Sequence, residues 1–80
     1  MPRVKLEYFA QFGDLAGCRT EIRDTGAVTA AALYGELQRD YGFAFSPARM
    51  RVAVNAQFRP WNQSLKDDDH VVFIPPVTGG

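Results

Sequence analysis

Few residues in this chain have side chains that could do chemistry. There is one histidine, His70, and one cysteine, Cys18. A single His leaves a His-based zinc site or a Ser/His pair with little to draw on. No His or Lys lies near Cys18 in sequence to lower its pKa, so it reads as a small core thiol rather than a nucleophile. Asp67-Asp68-Asp69 sets three carboxylates in a row. Adjacent carboxylates rarely converge on one ion, and no Gly-x-Glu continuation of a calcium loop follows. The run reads as a solvated turn, and no metal site is expected.

The reactive feature is the ending, VVFIPPVTGG. Pro75 and Pro76 stop the apolar run Val71 to Ile74, because proline has no N–H and a fixed φ. They hold the chain on an extended, polyproline-like path. Val77 and Thr78 then lead to Gly79-Gly80. Glycine permits close backbone approach, so such a tip fits a channel too narrow for any Cβ. One reactive group sits there, the α-carboxylate of Gly80. The expectation is a domain over residues 1–74 that serves as a handle. Residues 75–80 form its extended tail, with the working atom last.

The elements that must position this tail follow from pattern. Residues 3–10 alternate, with Val4, Leu6, Tyr8 and Ala10 on one face and Arg3, Lys5 and Glu7 on the other, as in a half-buried strand. Phe9 falls on the charged side. It is either a strand end covered by a loop or an exposed aromatic waiting for a partner. Residues 11–17 read as a loop with room for one helical turn. Residues 18–23 alternate again, with Cys18, Thr20 and Ile22 expected inward.

Thr29 is a candidate N-cap. Behind it Ala30, Leu33, Tyr34, Leu37 and Tyr41 make one helical stripe, and Gly42 stands where a left-handed C-cap is wanted. Glu36 and Arg39 are spaced to pair weakly on the outer side. Gly35 either permits close packing on a sheet or is tolerated. Phe43 and Phe45 are expected to plug the helix end into the core. Met50, Val52 and Val54 mark a third strand, Asn55-Ala56 a tight turn, and residues 57–59 a short strand ended by Pro60. Trp61 either caps the core or stands on the surface.

The order strand, strand, helix, strand, short strand, strand gives an α+β fold, a mixed sheet with one helix on one face. Alternation then sends two of the four residues Val71 to Ile74 to the open face. With Phe9, and Phe58 as an extension, they would form an apolar patch beside the tail, and such patches mark protein partners.

Length and composition bound the function. Eighty residues make one domain. Nine basic and nine acidic residues cancel, which leaves no electrostatic footprint for nucleic acid or an anionic membrane. The apolar runs are too short to span a bilayer. No signal-peptide core follows the start, and one cysteine cannot form an internal disulfide, so a cytoplasmic protein is expected.

The element order and the ending resemble the ubiquitin-like β-grasp fold. The nearer resemblance is to the MoaD family, the small sulfur-carrying subunits of molybdopterin synthase. It rests on the strand running into Tyr8-Phe9-Ala10-Gln11, on Val54-Asn55, and above all on FIPPVTGG, Phe73 to Gly80. Family members often have glycine in the turn before the last strand. Here the position is Asp68, and Asp tolerates positive φ better than most residues.

The resemblance implies a carrier rather than an enzyme, with catalytic side chains on the large subunit. It implies that an activating enzyme uses ATP to adenylate the Gly80 carboxylate, and that a sulfur donor then converts the acyl-adenylate to a thiocarboxylate. The tail, Pro75, Pro76, Val77, Thr78 and Gly79, would enter the large subunit and deliver sulfur to cyclic pyranopterin monophosphate in molybdenum cofactor biosynthesis. Phe9, Phe58 and Ile74 match apolar contact positions of the family, which implies a partner interface, and Phe73 then points to the core. No bound cofactor is implied for the chain itself. Three other uses share this outline. One is a sulfur carrier for thiamine or another pathway, against which Pro-Pro-Val-Thr argues. The others are a ubiquitin-like protein modifier and a plain interaction domain whose Gly-Gly is incidental.

Overall fold

In a computed structural model of the protein, residues 2–9 and 11–76 are described. The elements are β1 (Arg3–Tyr8), α1 (Gln11–Ala16), β2 (Thr20–Asp24), α2 (Ala30–Tyr41), a 3₁₀ turn (Pro47–Arg49), β3 (Arg51–Val54), β4 (Gln57–Arg59) and β5 (His70–Ile74). The strands form one sheet in the order β2-β1-β5-β3-β4. The first and last strands, β1 and β5, are central neighbours and run parallel, while the other pairs are antiparallel. This is the ubiquitin-like β-grasp arrangement, with α2 covering one face.

Alternation produces the core as expected. Val4, Leu6 and Tyr8 of β1, Val52 and Val54 of β3, and Val71 and Phe73 of β5 are buried against Ala30, Leu33, Tyr34 and Leu37 of α2. The helix begins where its cap is: Thr29 is extended, and its hydroxyl accepts from the Ala32 N–H at 3.2 Å. The loop after β4 satisfies the next two orphan donors, since Ala30 and Ala31 N–H groups donate to the carbonyls of Gln63 and Trp61. Gly42 ends the helix at φ 74°. Trp61 belongs to the core wall, its ring stacked on Phe73 at 12° and 6.0 Å. Phe43 is buried, and Phe45 packs half-buried beside it. A Cβ added at Gly35 would meet nothing within 4 Å, so that glycine is tolerated rather than required.

Five expectations are corrected. Residues 11–16 form a six-residue helix where a loop with room for one helical turn is expected, because Phe12 is driven fully into the core. Strand β2 starts at Thr20 and presents the opposite face from the one its apolar residue suggests. Ile22 is 65% exposed and Thr20 is exposed, while Glu21 and Arg23 turn inward. The cause is polar satisfaction. Tyr8 and Tyr41 hydroxyls donate to Glu21 Oε1 at 2.6 and 2.8 Å, and Arg23 pairs with Glu21, Glu36 and Asp40. Two tyrosines at the core margin need an acceptor, and Glu21 supplies it. Cys18 lies before the strand, half-buried against the core.

Glu36 is recruited by this network instead of pairing with Arg39. It accepts from the Thr25 hydroxyl at 2.6 Å and meets Arg23 at 3.4 Å. The Asp67–Asp69 run is only partly solvated. Asp69 is buried, and its carboxylate accepts from the Asn55 side-chain amide and the Lys66 N–H, tying the β3–β4 turn to the start of β5. Asp68 takes φ 69°, the backbone state its glycine-like position demands. Ala10, expected on the inward face of β1, lies outside the described residues.

Candidate functional site

The register shows which side chains share the face that α2 leaves open. Directly paired residues point the same way. One row therefore runs Ile22, Lys5, His70 across β2, β1 and β5. The next runs Thr20, Glu7, Val72, Ala53, Phe58 across all five strands. A third holds Ile74 opposite Arg51. Phe9 follows Tyr8, and Tyr8 pairs with Phe73, so Phe9 and Ile74 are the next residues along adjacent parallel strands.

At the end where β5 leaves the sheet this face is mostly apolar, with Arg51 beside Ile74, and at the other end the exposed Ile22 stands in a row with Lys5 and His70. Phe58 is 63% exposed and Phe9 42%, with Val72 and Ile74 half-buried between them. Toward the opposite end His70 Nε2 meets Glu7 Oε1 at 3.1 Å. Of the two sequence readings of Phe9, the exposed aromatic is the one observed. Alternation along β5 is also as expected: Phe73 is fully buried, while Val72 and Ile74 reach the open face.

The structure brings Phe58, Ile74, Pro75 and Pro76 together. They line a groove of about 390 Å³ that Arg49 and Arg51 close on one side. Phe9 lies across β5 from this groove and lines a separate concavity with Glu7, Asp14 and Arg19. The chain thus leaves the middle of a five-stranded sheet at Ile74, through two half-buried prolines, between two exposed aromatics. The remaining expected tail residues, Val77, Thr78, Gly79 and Gly80, lie outside the described residues.

Sequence reasoning missed Ile22 as a member of this surface. Its signal was indirect, lying in the two inward tyrosine hydroxyls that require a polar partner on β2. It also passed over Arg51, whose guanidinium lies 5.5 Å from the Phe58 ring centre.

An anchored strand, an apolar open face and a proline-stiffened exit suit presentation of the terminus to a partner. Residues 6–80 match the ThiS family. The chain belongs to the ThiS family. The match to this ThiS family takes in the whole sheet except the start of β1, and the tail with it. Over 80 residues the chain is 35% identical to the molybdopterin synthase sulfur carrier subunit of Escherichia coli (strain K12), covering 96% of this chain and 99% of that protein. A Pyrococcus furiosus protein assigned as molybdopterin converting factor, subunit 1, superposes with a TM-score of 0.78 at 28% identity, over 96% of this chain and 100% of its own. A third similar structure is a complex of subunits 1 and 2 of the molybdopterin-converting factor of Helicobacter pylori. It matches with a TM-score of 0.66 at 24% identity, over 98% of this chain and 99% of its own. The ThiS-family match and the 35% identical E. coli relative support a small ubiquitin-like sulfur carrier.

Proposed function

We propose that the protein is the sulfur carrier subunit of a molybdopterin synthase and that its working atom is the C-terminal carboxylate of Gly80. The observation that carries this reading is the 35% identity to the E. coli subunit over nearly the whole of both chains. The apolar face around the root of the tail supports it. The carrier acts in the cytoplasm with three partners: an adenylating enzyme, a sulfur donor and the large catalytic subunit.

The chemistry follows from the weakness of a carboxylate as an electrophile. The activating enzyme joins the Gly80 carboxylate to the AMP moiety of ATP and releases pyrophosphate. The donor, supplying sulfur at the sulfide level, then attacks the acyl carbon, expels AMP and leaves a thiocarboxylate. That group is a strong sulfur nucleophile: in the large subunit its sulfur bonds to cyclic pyranopterin monophosphate, and water then cleaves the resulting thioester, leaving the sulfur on the pterin precursor and restoring the Gly80 carboxylate. Within this chain, Gly79 and Gly80 admit the tip to a buried site. Pro75 and Pro76 keep the arm extended and reduce the entropy lost on insertion. Phe9, Phe58 and Ile74 supply the apolar docking contacts. No side chain of the carrier takes part in bond making.

Deleting Gly80 tests the reading. The shortened protein is expected to fold and to bind the large subunit much as the full chain does, and to transfer no sulfur in a reconstituted synthase assay. Transfer at the full rate by the shortened protein would contradict the proposal. Isopeptide-linked adducts in extracts of the source cell would assign protein modification as a use of the same terminus.

A further inference from the structure

Between Asp40 and Asp67 the sequence has no acidic residue, yet it holds Arg49, Arg51, Arg59 and Lys66. The chain as a whole is neutral, so this is a local segregation of charge. All three arginines are exposed. Among the described residues, ion pairs engage Arg3, Arg23 and His70, and none engages Arg49, Arg51 or Arg59.

The three guanidinium groups are nevertheless positioned. Arg51 lies 5.5 Å from the Phe58 ring centre, and Arg49 lies 5.6 Å from that of Phe45. Arg59 donates to Gln57 Oε1 at 2.6 Å. Placement over an aromatic ring restrains a guanidinium without using its N–H fork, which stays open to an acceptor. Arg49 and Arg51 line the same groove as Phe58, Ile74, Pro75 and Pro76. A second groove of about 420 Å³ runs from Arg49 and Arg51 past Phe58 to Arg59 and Trp61.

We propose that Arg49, Arg51 and Arg59 form a basic collar at the root of the tail that docks an acidic segment of the large synthase subunit. The segment presents an aliphatic side chain to the groove and carboxylates to the collar. This deepens the functional reading above and rests on it for the partner's name. Charge complementarity selects the occupant. Planar carboxylates match guanidinium forks, and an apolar floor between the forks matches a side chain rather than a phosphate backbone. Nucleic acid is disfavoured because the neutral chain offers only a small basic area. Arg49 and Arg51 join the collar to the open face beside Phe58 and Ile74, while Arg59, paired with Val52 on the α2 side of the edge strand β4, reaches it around that edge through the second groove, so one partner can cover both.

Two measurements test the collar. In the first, the ¹⁵N-labelled full chain is titrated with the capped peptide Glu-Glu-Leu-Glu-Glu, its Gln-Gln-Leu-Gln-Gln counterpart and a short single-stranded RNA. The acidic peptide is expected to shift the signals of Arg49, Arg51, Phe58, Arg59 and Ile74, and the neutral peptide to leave them in place. Equal shifts with both peptides, or larger shifts with RNA, overturn the proposal. In the second, the chain carrying Arg49→Gln, Arg51→Gln and Arg59→Gln is titrated calorimetrically against the large subunit at low and high salt. Its Kd is expected to rise roughly tenfold at low salt, with a flatter salt dependence and an unchanged unfolding midpoint. Wild-type affinity and salt dependence in the variant overturn it. A wild-type chain that ignores the large subunit contradicts the functional reading and the named partner, and the peptide titration then decides the collar's chemistry alone.

Discussion

Phe9 is 42% exposed and stands outside the core cluster, so truncating it removes little buried area. Phe9→Ala is expected to change unfolding free energy by less than about 1 kcal/mol. Its affinity for the large subunit is expected to fall about tenfold or more, as for an aromatic anchor at an interface. Urea unfolding and calorimetric titration of the same preparation check both halves, and a strongly destabilised variant would place Phe9 in the core. Glu21 makes the opposite case. Burial raises its pKa, but hydrogen bonds from Tyr8 and Tyr41 and the charge of Arg23 outweigh it, and the carboxyl sits below its usual range. A depressed folded pKa contributes stability above the unfolded value, near ~4.3, and that stability is lost as pH falls through the folded value. Glu21→Gln is therefore expected to cost about 1–3 kcal/mol at pH 7. The gap to wild type should narrow in urea titrations as pH falls below the unfolded value. A gap independent of pH would show that the Glu21 charge contributes nothing.

At the scale of elements, α2 is nearly all legible in the sequence. Thr29, the stripe from Ala30 to Tyr41, and Gly42 each carry a local reason that the structure repeats. The last strand is legible for the same cause: a run of four apolar residues stopped by two prolines. Asp68 was readable as a left-handed position, and it is one. Strand β2 was not legible. Hydrophobic alternation puts Ile22 inside, and only the three-dimensional meeting of Tyr8, Tyr41, Glu21 and Arg23 reverses it. A network assembled from three elements leaves no periodic trace in any one of them. The grouping of Phe58, Ile74, Pro75 and Pro76 was only half legible. Pattern gave their exposure, while the pairing of β3 with both β4 and β5 brought them to one groove. Gly35 yields the prediction at this scale. Open space surrounds its Cβ position in mid-helix, so Gly35→Ala is expected to raise stability by about 0.5–1 kcal/mol in urea unfolding. A loss of stability would reveal a packing role for the missing side chain.

At the scale of the molecule, the pairing of β1 with β5 sets the logic. The strand that leads into the tail lies in the middle of the sheet, bonded on both sides. The strand is therefore anchored by ladder pairing to β1 as far as Phe73 and to β3 through Ile74, where the chain leaves the sheet. One face is covered by α2, and the other carries Phe9 and Phe58, both exposed, with Val72 and Ile74 half-buried between them. Among the described residues no helix is long and apolar enough to cross a membrane. The most direct check is intact-mass analysis of the protein after incubation with its activating enzyme, ATP and the sulfur donor. The account predicts a gain equal to exchange of one oxygen for sulfur, confined by fragmentation to the C-terminal peptide that ends in Gly80. An unchanged mass, or sulfur found on Cys18 instead, would contradict it.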